Sequence, residues 1–477
     1  MNDTDLAFMP ASDLATEIRA GRISSLDATE NVLSRIEASR ETLNAFITVM
    51  DDSARQDARR ADDAAAKGQS LGPLHGVPIS VKDLINIKGL PTTFGSQLMI
   101  DNIAPADAVS VARLKAAGAV IVGKTTTPDN AHKLLTDAPL FGVTRNPWDL
   151  DLTPGGSSGG SAVAVAAGIG PISLATDAGA STRLPAACTG VVGLKPTLGL
   201  VPHNQVPDGF QNFIHLGIFS RTIADCALTL GVLAGEHGSD PLSMGVPTGE
   251  FMSGLSNASV KEFRFAFRPL LGNEILAKEV RAACENAVGV FEKLGGAVTQ
   301  IDEAFENAEP TWRVLQQSNW AVRFGKDMEE NADRMDSSLV EGVREGLSYS
   351  GPDLQRAMYG RTRLFRAVQS WFGDVDFVLT PTISRRPLKA SHRALDPIEI
   401  DGQNVGDMRR SWCPYLNLFN LTGHPAISIP CGWTDDGLPI GLQIIGRWFA
   451  DAGLLAVAAA FEAAQPWADH RPPHIPR

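Results

Sequence analysis

The chain has 477 residues, 44% hydrophobic and 20% charged, with a formal net charge of −12. This is globular composition, and its acidic balance argues against nucleic acid or an anionic membrane as partner. No apolar run reaches the ~18 residues of a membrane span, and the polar start MNDTDLAFMPASD does not read as a signal peptide, so the cytoplasm is the expected compartment.

The chain opens with helices. Ser24 and Asp27 form a capping-box-like start, with Leu26, Leu33 and Ile36 on one face. AFITVM (45–50) reads as a strand and the charged run 51–67 as an exposed helix. GPLHGVPISVKDLIN (72–86) reads as a buried strand carrying one lysine. Residues 107–127 read as a helix, a stop at Gly118 and the strand AVIVG. After a glycine-serine loop and an Ala-rich helix, residues 170–182 run from a strand into a second bare loop. This alternation predicts an α/β protein with a largely parallel sheet. FRFAF, the amphipathic helix 276–294 and AVTQI repeat the pattern. Residues 305–372 read as a helical insertion carrying Trp312, Trp320 and Trp371. VDFVLTPTI (375–383) returns to the sheet, and 424–446 reads as a hairpin around Asp435, Asp436 and Gly437. The five scattered cysteines, Cys188, Cys226, Cys284, Cys413 and Cys431, are never in CxxC spacing and suggest neither a disulfide framework nor a zinc site.

The loop TPGGSSGGSAVAVAAG (153–168) admits several readings. A linker is disfavoured by the ordered segments around it. A phosphate cradle lacks both GxxxxGK[ST] and GxGxxG. Gly155, Ser157 and Gly159 match GxSxG, as do Gly156, Ser158 and Gly160, but the preceding RNPWDLDLTP is no apolar strand. His203, His215, His392 and His424 lie downstream, yet no context singles one out. The remaining reading combines this loop with Lys82, at the end of an apolar strand, and Ser181, in TDAGASTR (176–183). Taken alone, Lys82 is better explained by a salt bridge with Asp83 or another acid.

Together these segments resemble the amidase signature family of serine hydrolases. The likeness runs from GVPISVKD, GKTTTP and FGVTRNPWD through TPGGSSGGSAVAVAAG and ATDAGASTRLPAACTGVVGLKPT to GHPAISIPCG and GLPIGLQIIG. It implies one large mixed sheet covered by helices on both faces, spanning 1–477 with the helical insertion at about 305–372. It further implies a catalytic set of nucleophile Ser181, bridging Ser157 after a cis peptide bond, and Lys82. The physics agrees. A serine hydroxyl needs a base, and Lys82 serves only when neutral, so burial must lower its ordinary pKa of ~10.4. Ser157, both donor and acceptor, then relays the proton.

Backbone N–H groups of Ala178, Gly179, Ala180 and Ser181 are the expected oxyanion donors. The family pattern has Gly-Gly-Ser where this chain has Gly179-Ala180-Ser181, and isoleucine where Thr182 stands. Ala180 is strained if that position needs a positive φ, and its methyl otherwise narrows the pocket. Ala131 matches a substrate-contacting position. Ser158 is expected to brace the loop, Asp177 and Arg183 to form a structural ion pair, and the tryptophans to line the pocket or the core. The resulting expectation is a hydrolase of small neutral amides or anilides working through an acyl-enzyme, without metal or cofactor, as a monomer or homodimer. The alternatives are carbamate cleavage by the same triad and an amidotransferase A-type subunit. Uncharged substrates are expected because no arginine is placed to meet a substrate carboxylate.

Overall fold

Side chains alternate across the strands and pack against both faces of one sheet. In the strand Phe377–Pro381, Phe377 and Leu379 enter one apolar cluster while Val378 enters another. Phe265 and Phe267 divide from Ala266 in the same way. Burial on both faces explains why these strands read as continuous apolar runs. Each large apolar side chain so buried contributes about 1.5–3 kcal/mol.

The computed structural model describes residues 3–69, 71–247, 249–256 and 258–476. Met1, Asn2, Ser70, Thr248, Asn257 and Arg477, which the 1–477 span includes, lie outside the described residues. The main sheet has eleven strands. They are β1 (Phe46–Val49), β2 (Pro78–Lys82), β3 (Val120–Thr125), β4 (Ile172–Asp177), β5 (Val192–Lys195) and β6 (His215–Ser220). β7 (Arg264–Phe267), β8 (Ala297–Gln300), β9 (Phe377–Pro381), β10 (Ala426–Trp433) and β11 (Pro439–Gly446) complete it. Their spatial order is β1-β3-β2-β4-β6-β5-β10-β11-β9-β7-β8. The sheet is mixed. β2–β3, β2–β4, β7–β8 and β7–β9 pair in parallel, whereas the six other neighbouring pairs are antiparallel. The largely parallel sheet expected from alternation is thus corrected. Hairpin β10–β11 reverses direction as its turn residues suggested, and the long return into β6 does so where the pattern suggested a crossover.

Ser24 caps the helix Ser25–Ser39 by accepting from the Asp27 amide. The helix Asp51–Ala66 is less exposed than expected, because Ala54, Ala58 and Ala61 form a buried stripe at helical spacing. Among the described residues no helix is long and apolar enough to cross a membrane, and the five cysteines are free and buried.

Three features position the site. Helix Gly159–Ala166, opened by the glycine-serine loop, packs on β2 and β4. Helix Arg183–Thr189 follows β4 after the short loop 178–182. Helices Ser337–Ser348 and Gly351–Trp371 both pack on helix Glu309–Asn331, which brings Trp312 to the loop after β4.

Candidate active site

Lys82 ends β2 with none of its surface exposed. Its Nζ donates to Ser157 Oγ at 2.7 Å and to Thr176 Oγ1 at 3.0 Å. Burial pushes this amine well below the ordinary lysine range, against the pull of the Asp177 carboxylate. The salt bridge with Asp83 does not form. Successive residues of an extended chain point to opposite sides, and Asp83 pairs with Lys124 at 2.7 Å instead. Asp83 also accepts from the Thr93 amide at 3.1 Å.

Ser157 follows a cis peptide bond from Gly156. A Cβ on Gly156 would lie 2.7 Å from the Leu134 carbonyl carbon and 2.8 Å from the Leu135 amide nitrogen. Only glycine lets these two backbones approach so closely. Ser158 braces the loop: its amide donates to the Ser181 carbonyl at 3.3 Å and its hydroxyl to the Thr176 carbonyl at 3.2 Å. Ser157 and Ser181 are therefore held on adjoining loops. Their exposures grade outward, Lys82 0%, Ser157 1% and Ser181 8%, so the expected nucleophile is the member nearest solvent.

The loop after β4 is held from beneath by a buried ion pair. Arg183 Nε and Nη2 each donate to an Asp177 oxygen at 3.0 Å. Burial alone would raise the Asp177 carboxyl, but Arg183 and Asn420 hold it well below the usual carboxylate range. The Thr182 amide donates to the same carboxylate at 3.1 Å. Arg183 Nη1 is taken up by the Leu416 carbonyl and Gln443, and Nη2 also by Asn420. Arg183 is structural, with no donor group left for a ligand.

Among the described residues, none accepts a hydrogen bond from the amides of Gly179, Ala180 or Ser181. Buried amides are normally paired, so these three beside Ser181 stand as open donors. Ala180 is not among the residues with positive φ, so no backbone strain arises there. Its methyl is fully buried in an apolar cluster with Leu134, Leu184 and Cys188, which makes it core rather than pocket wall. Gly179 is the restrictive position. A Cβ there would lie 2.8 Å from Trp312 Nε1 and 3.2 Å from Arg409 Nη1. Trp312 Nε1 donates to the Ala178 carbonyl at 2.7 Å, and Ala178 itself is half-buried.

Ala131 lies in a sharp turn in which it and Asn130 both have left-handed backbones, at φ 54° and 49°. The next residue, His132, packs edge-on against Trp320, which packs edge-on against Trp312. Trp371 lies elsewhere, against Phe305 and Arg268. The histidines His203, His215, His392 and His424 make no hydrogen bond to Ser157, Ser158 or Ser181 among the described residues. His424 bonds Thr422 and Gln369, and His215 reaches only the Asp177 carbonyl and Asn420.

Sequence reasoning missed two residues. Thr176 is the second partner of Lys82, and the parallel pairing of Val81 with Leu174 was the signal that the end of β4 lies beside Lys82. Arg409 stacks on Trp312 with its guanidinium carbon 3.9 Å from the ring centroid, beside Gly179. The expectation of uncharged substrates rested on there being no such arginine. Its nearest carboxylate is Glu309 at 3.7 Å. Burial pushes Glu309 up to about 7, against the pull of Arg409 and Arg313.

The family model described as Amidase matches residues 27–455. The acylamidase of Rhodococcus erythropolis is 36% identical over 474 residues, covering 99% of this chain and 98% of its own. The A-type subunit of the glutamyl-tRNA(Gln) amidotransferase of Chloroflexus aggregans is 33% identical over 98% of this chain and 99% of its own. Among solved structures, a bacterial aryl acylamidase of the amidase signature enzymes superposes with a TM-score of 0.91 at 28% identity, covering 97% of each chain. With the family model matched over most of its length and such relatives along nearly all of it, the chain is an amidase of the amidase signature family.

Proposed function

We propose that the protein hydrolyses the C–N bond of small amides and anilides through an acyl-enzyme on Ser181. The observation that carries this reading is the 2.7 Å hydrogen bond from the buried Lys82 amine to Ser157, on a loop that adjoins the one bearing Ser181. Neutral Lys82 takes a proton from Ser157 as Ser157 takes one from Ser181. Ser181 Oγ attacks the planar, neutral C(=O)–N unit, and the amides of Gly179, Ala180 and Ser181 receive the oxyanion. The proton returns through Ser157 to the leaving amine, and water then releases the acid by the same path. Ala131 and Ala178 flank the substrate. The names of the acylamidase and aryl acylamidase relatives support amide and anilide substrates. The reaction calls on no metal or cofactor, and we take the protein to act in the cytoplasm as a monomer or homodimer. Ser181→Ala is expected to abolish turnover and also labelling by a fluorophosphonate. An active Ser181→Ala variant would overturn the assignment.

A second reading rests on the match to the amidotransferase component. Activity of the purified chain by itself on an anilide favours the stand-alone enzyme, whereas strict dependence on partner subunits favours the other. Aryl carbamates present the same carbonyl and belong in the same assay.

A further inference from the structure

Two arginines meet the loop that carries Ser181, and they differ in one respect. Arg183 spends its Nε, Nη1 and Nη2 on Asp177, Asn420, Gln443 and the Leu416 carbonyl, all buried. Arg409 makes one long side-chain hydrogen bond among the described residues, from Nη2 to the His132 carbonyl at 3.5 Å. Its Nη1, the nitrogen nearest Gly179, makes none. The side chain is only 14% exposed, and a guanidinium this enclosed ordinarily fills its donors.

Its neighbours do not fill them. Glu309 Oε1 accepts from Arg313 Nε at 2.9 Å, and Glu309 Oε2 accepts from Asn417 at 2.6 Å. The 3.7 Å separation leaves Arg409 outside hydrogen-bond range of that carboxylate. Asp407 is engaged by the other Nη2, that of Arg313, at 2.7 Å. Stacking on Trp312 fixes the guanidinium plane without using any in-plane N–H. The result is a pre-oriented cationic fork against the oxyanion loop, in the wall of a cavity that Trp312, His132 and Lys133 also line.

We propose that Arg409 is a substrate-binding residue that takes a carboxylate carried by the amide a few bonds from the scissile carbonyl. The proposal deepens the functional reading above and rests on Ser181 being the nucleophile. A planar bidentate fork matches a carboxylate in geometry and charge, and an enclosed site strengthens that pairing over its value in water. A chain ending in a methyl group would leave the fork unpaired.

The test is a series of p-nitroanilides whose acyl chains have two, three or four methylenes and end in a carboxylate, a carboxamide or a methyl group. The wild-type enzyme is expected to favour the carboxylate in kcat/KM at one of these lengths by about tenfold or more over the methyl-ended compound. In Arg409→Gln the carboxylate-to-methyl ratio is expected to fall at least about thirtyfold, chiefly through KM. Arg409→Lys should fall between, because an ammonium keeps the charge and loses the fork. Wild-type preference for the methyl-ended compound at every length overturns the proposal, and that comparison needs no variant. An unchanged ratio in Arg409→Gln overturns it too. Turnover of any compound by Ser181→Ala would instead sink the nucleophile assignment, so the two failures are distinguishable.

Discussion

The Lys82 amine stands 2.7 Å from the Ser157 hydroxyl in a position with no exposed surface. Its lowered pKa has a signed consequence for both rate and stability. The rate should rise with pH as Lys82 loses its proton, then level off. In the folded protein Lys82 binds a proton less readily than in the unfolded chain, so stability should rise with pH between the depressed value and about 10.4. Lys82→Met is expected to cost at least about a thousandfold in kcat. It should also raise Tm at neutral pH by about 2 °C or more, a gain that shrinks toward pH 10. Calorimetry across pH 6–10 checks the sign, and a Tm difference independent of pH would contradict it.

Thr176 holds the same amine from the neighbouring strand at 3.0 Å. Thr176→Val keeps the shape and removes the acceptor, so kcat should fall about tenfold, the worth of one buried hydrogen bond. Thr176→Ser should retain most of the rate. A larger loss in Thr176→Ser than in Thr176→Val would point to the methyl group rather than the hydroxyl.

The Asp177–Arg183 pair supports the loop bearing Ser181 from below. Arg183→Lys cannot make the two-pronged contact and should destabilise the fold by about 3 kcal/mol or more. Because the Asp177 carboxyl is depressed in the folded state, its contribution is present above about pH 4 and lost as pH falls through the lower folded value. Acid unfolding of the wild type and Arg183→Lys, compared at pH 7 and pH 3, should show the gap between them narrowing. A constant gap would mean that the arginine acts through packing alone.

Gly179 faces Trp312 and Arg409 with no room for a Cβ. Gly179→Ala should displace the oxyanion loop and lower kcat/KM by about a hundredfold. Trp312→Phe removes the indole nitrogen that the new methyl would strike. The double variant should therefore recover part of the loss, a coupling that independent sites would not show. Simple additivity would place the defect elsewhere.

Much of the candidate site was legible because the chemistry proposed for it lies in short motifs. Lys82, Ser157 and Ser181 each sit in a segment whose composition is odd for its element: a lysine ending an apolar strand, and two loops nearly bare of side chains. What escaped was set by geometry between distant segments. Asp83 looked like the partner of Lys82 because it is adjacent in sequence, yet extended backbone sends adjacent side chains apart and gives Asp83 to Lys124. Ala180 looked like a pocket wall because it adjoins Ser181, but the turn of the loop directs its methyl into the core. The strand segments were readable from apolar runs. Their directions were readable only at the hairpin β10–β11, since a long return such as that into β6 leaves the same pattern as a crossover, and so alternation alone could not tell the mixed sheet from a parallel one.

The carbonyl of Ala178 is gripped by an indole 134 residues further along the chain, on a helix that supplies no strand to the sheet. The segments proposed to move protons and the segment that walls one side of the loop are thus inherited as separate stretches of gene. Drift or recombination in residues 309–371 can reshape what enters the cleft while leaving Lys82, Ser157 and Ser181 untouched. A laboratory library confined to that stretch would explore new substrates from a fixed reaction.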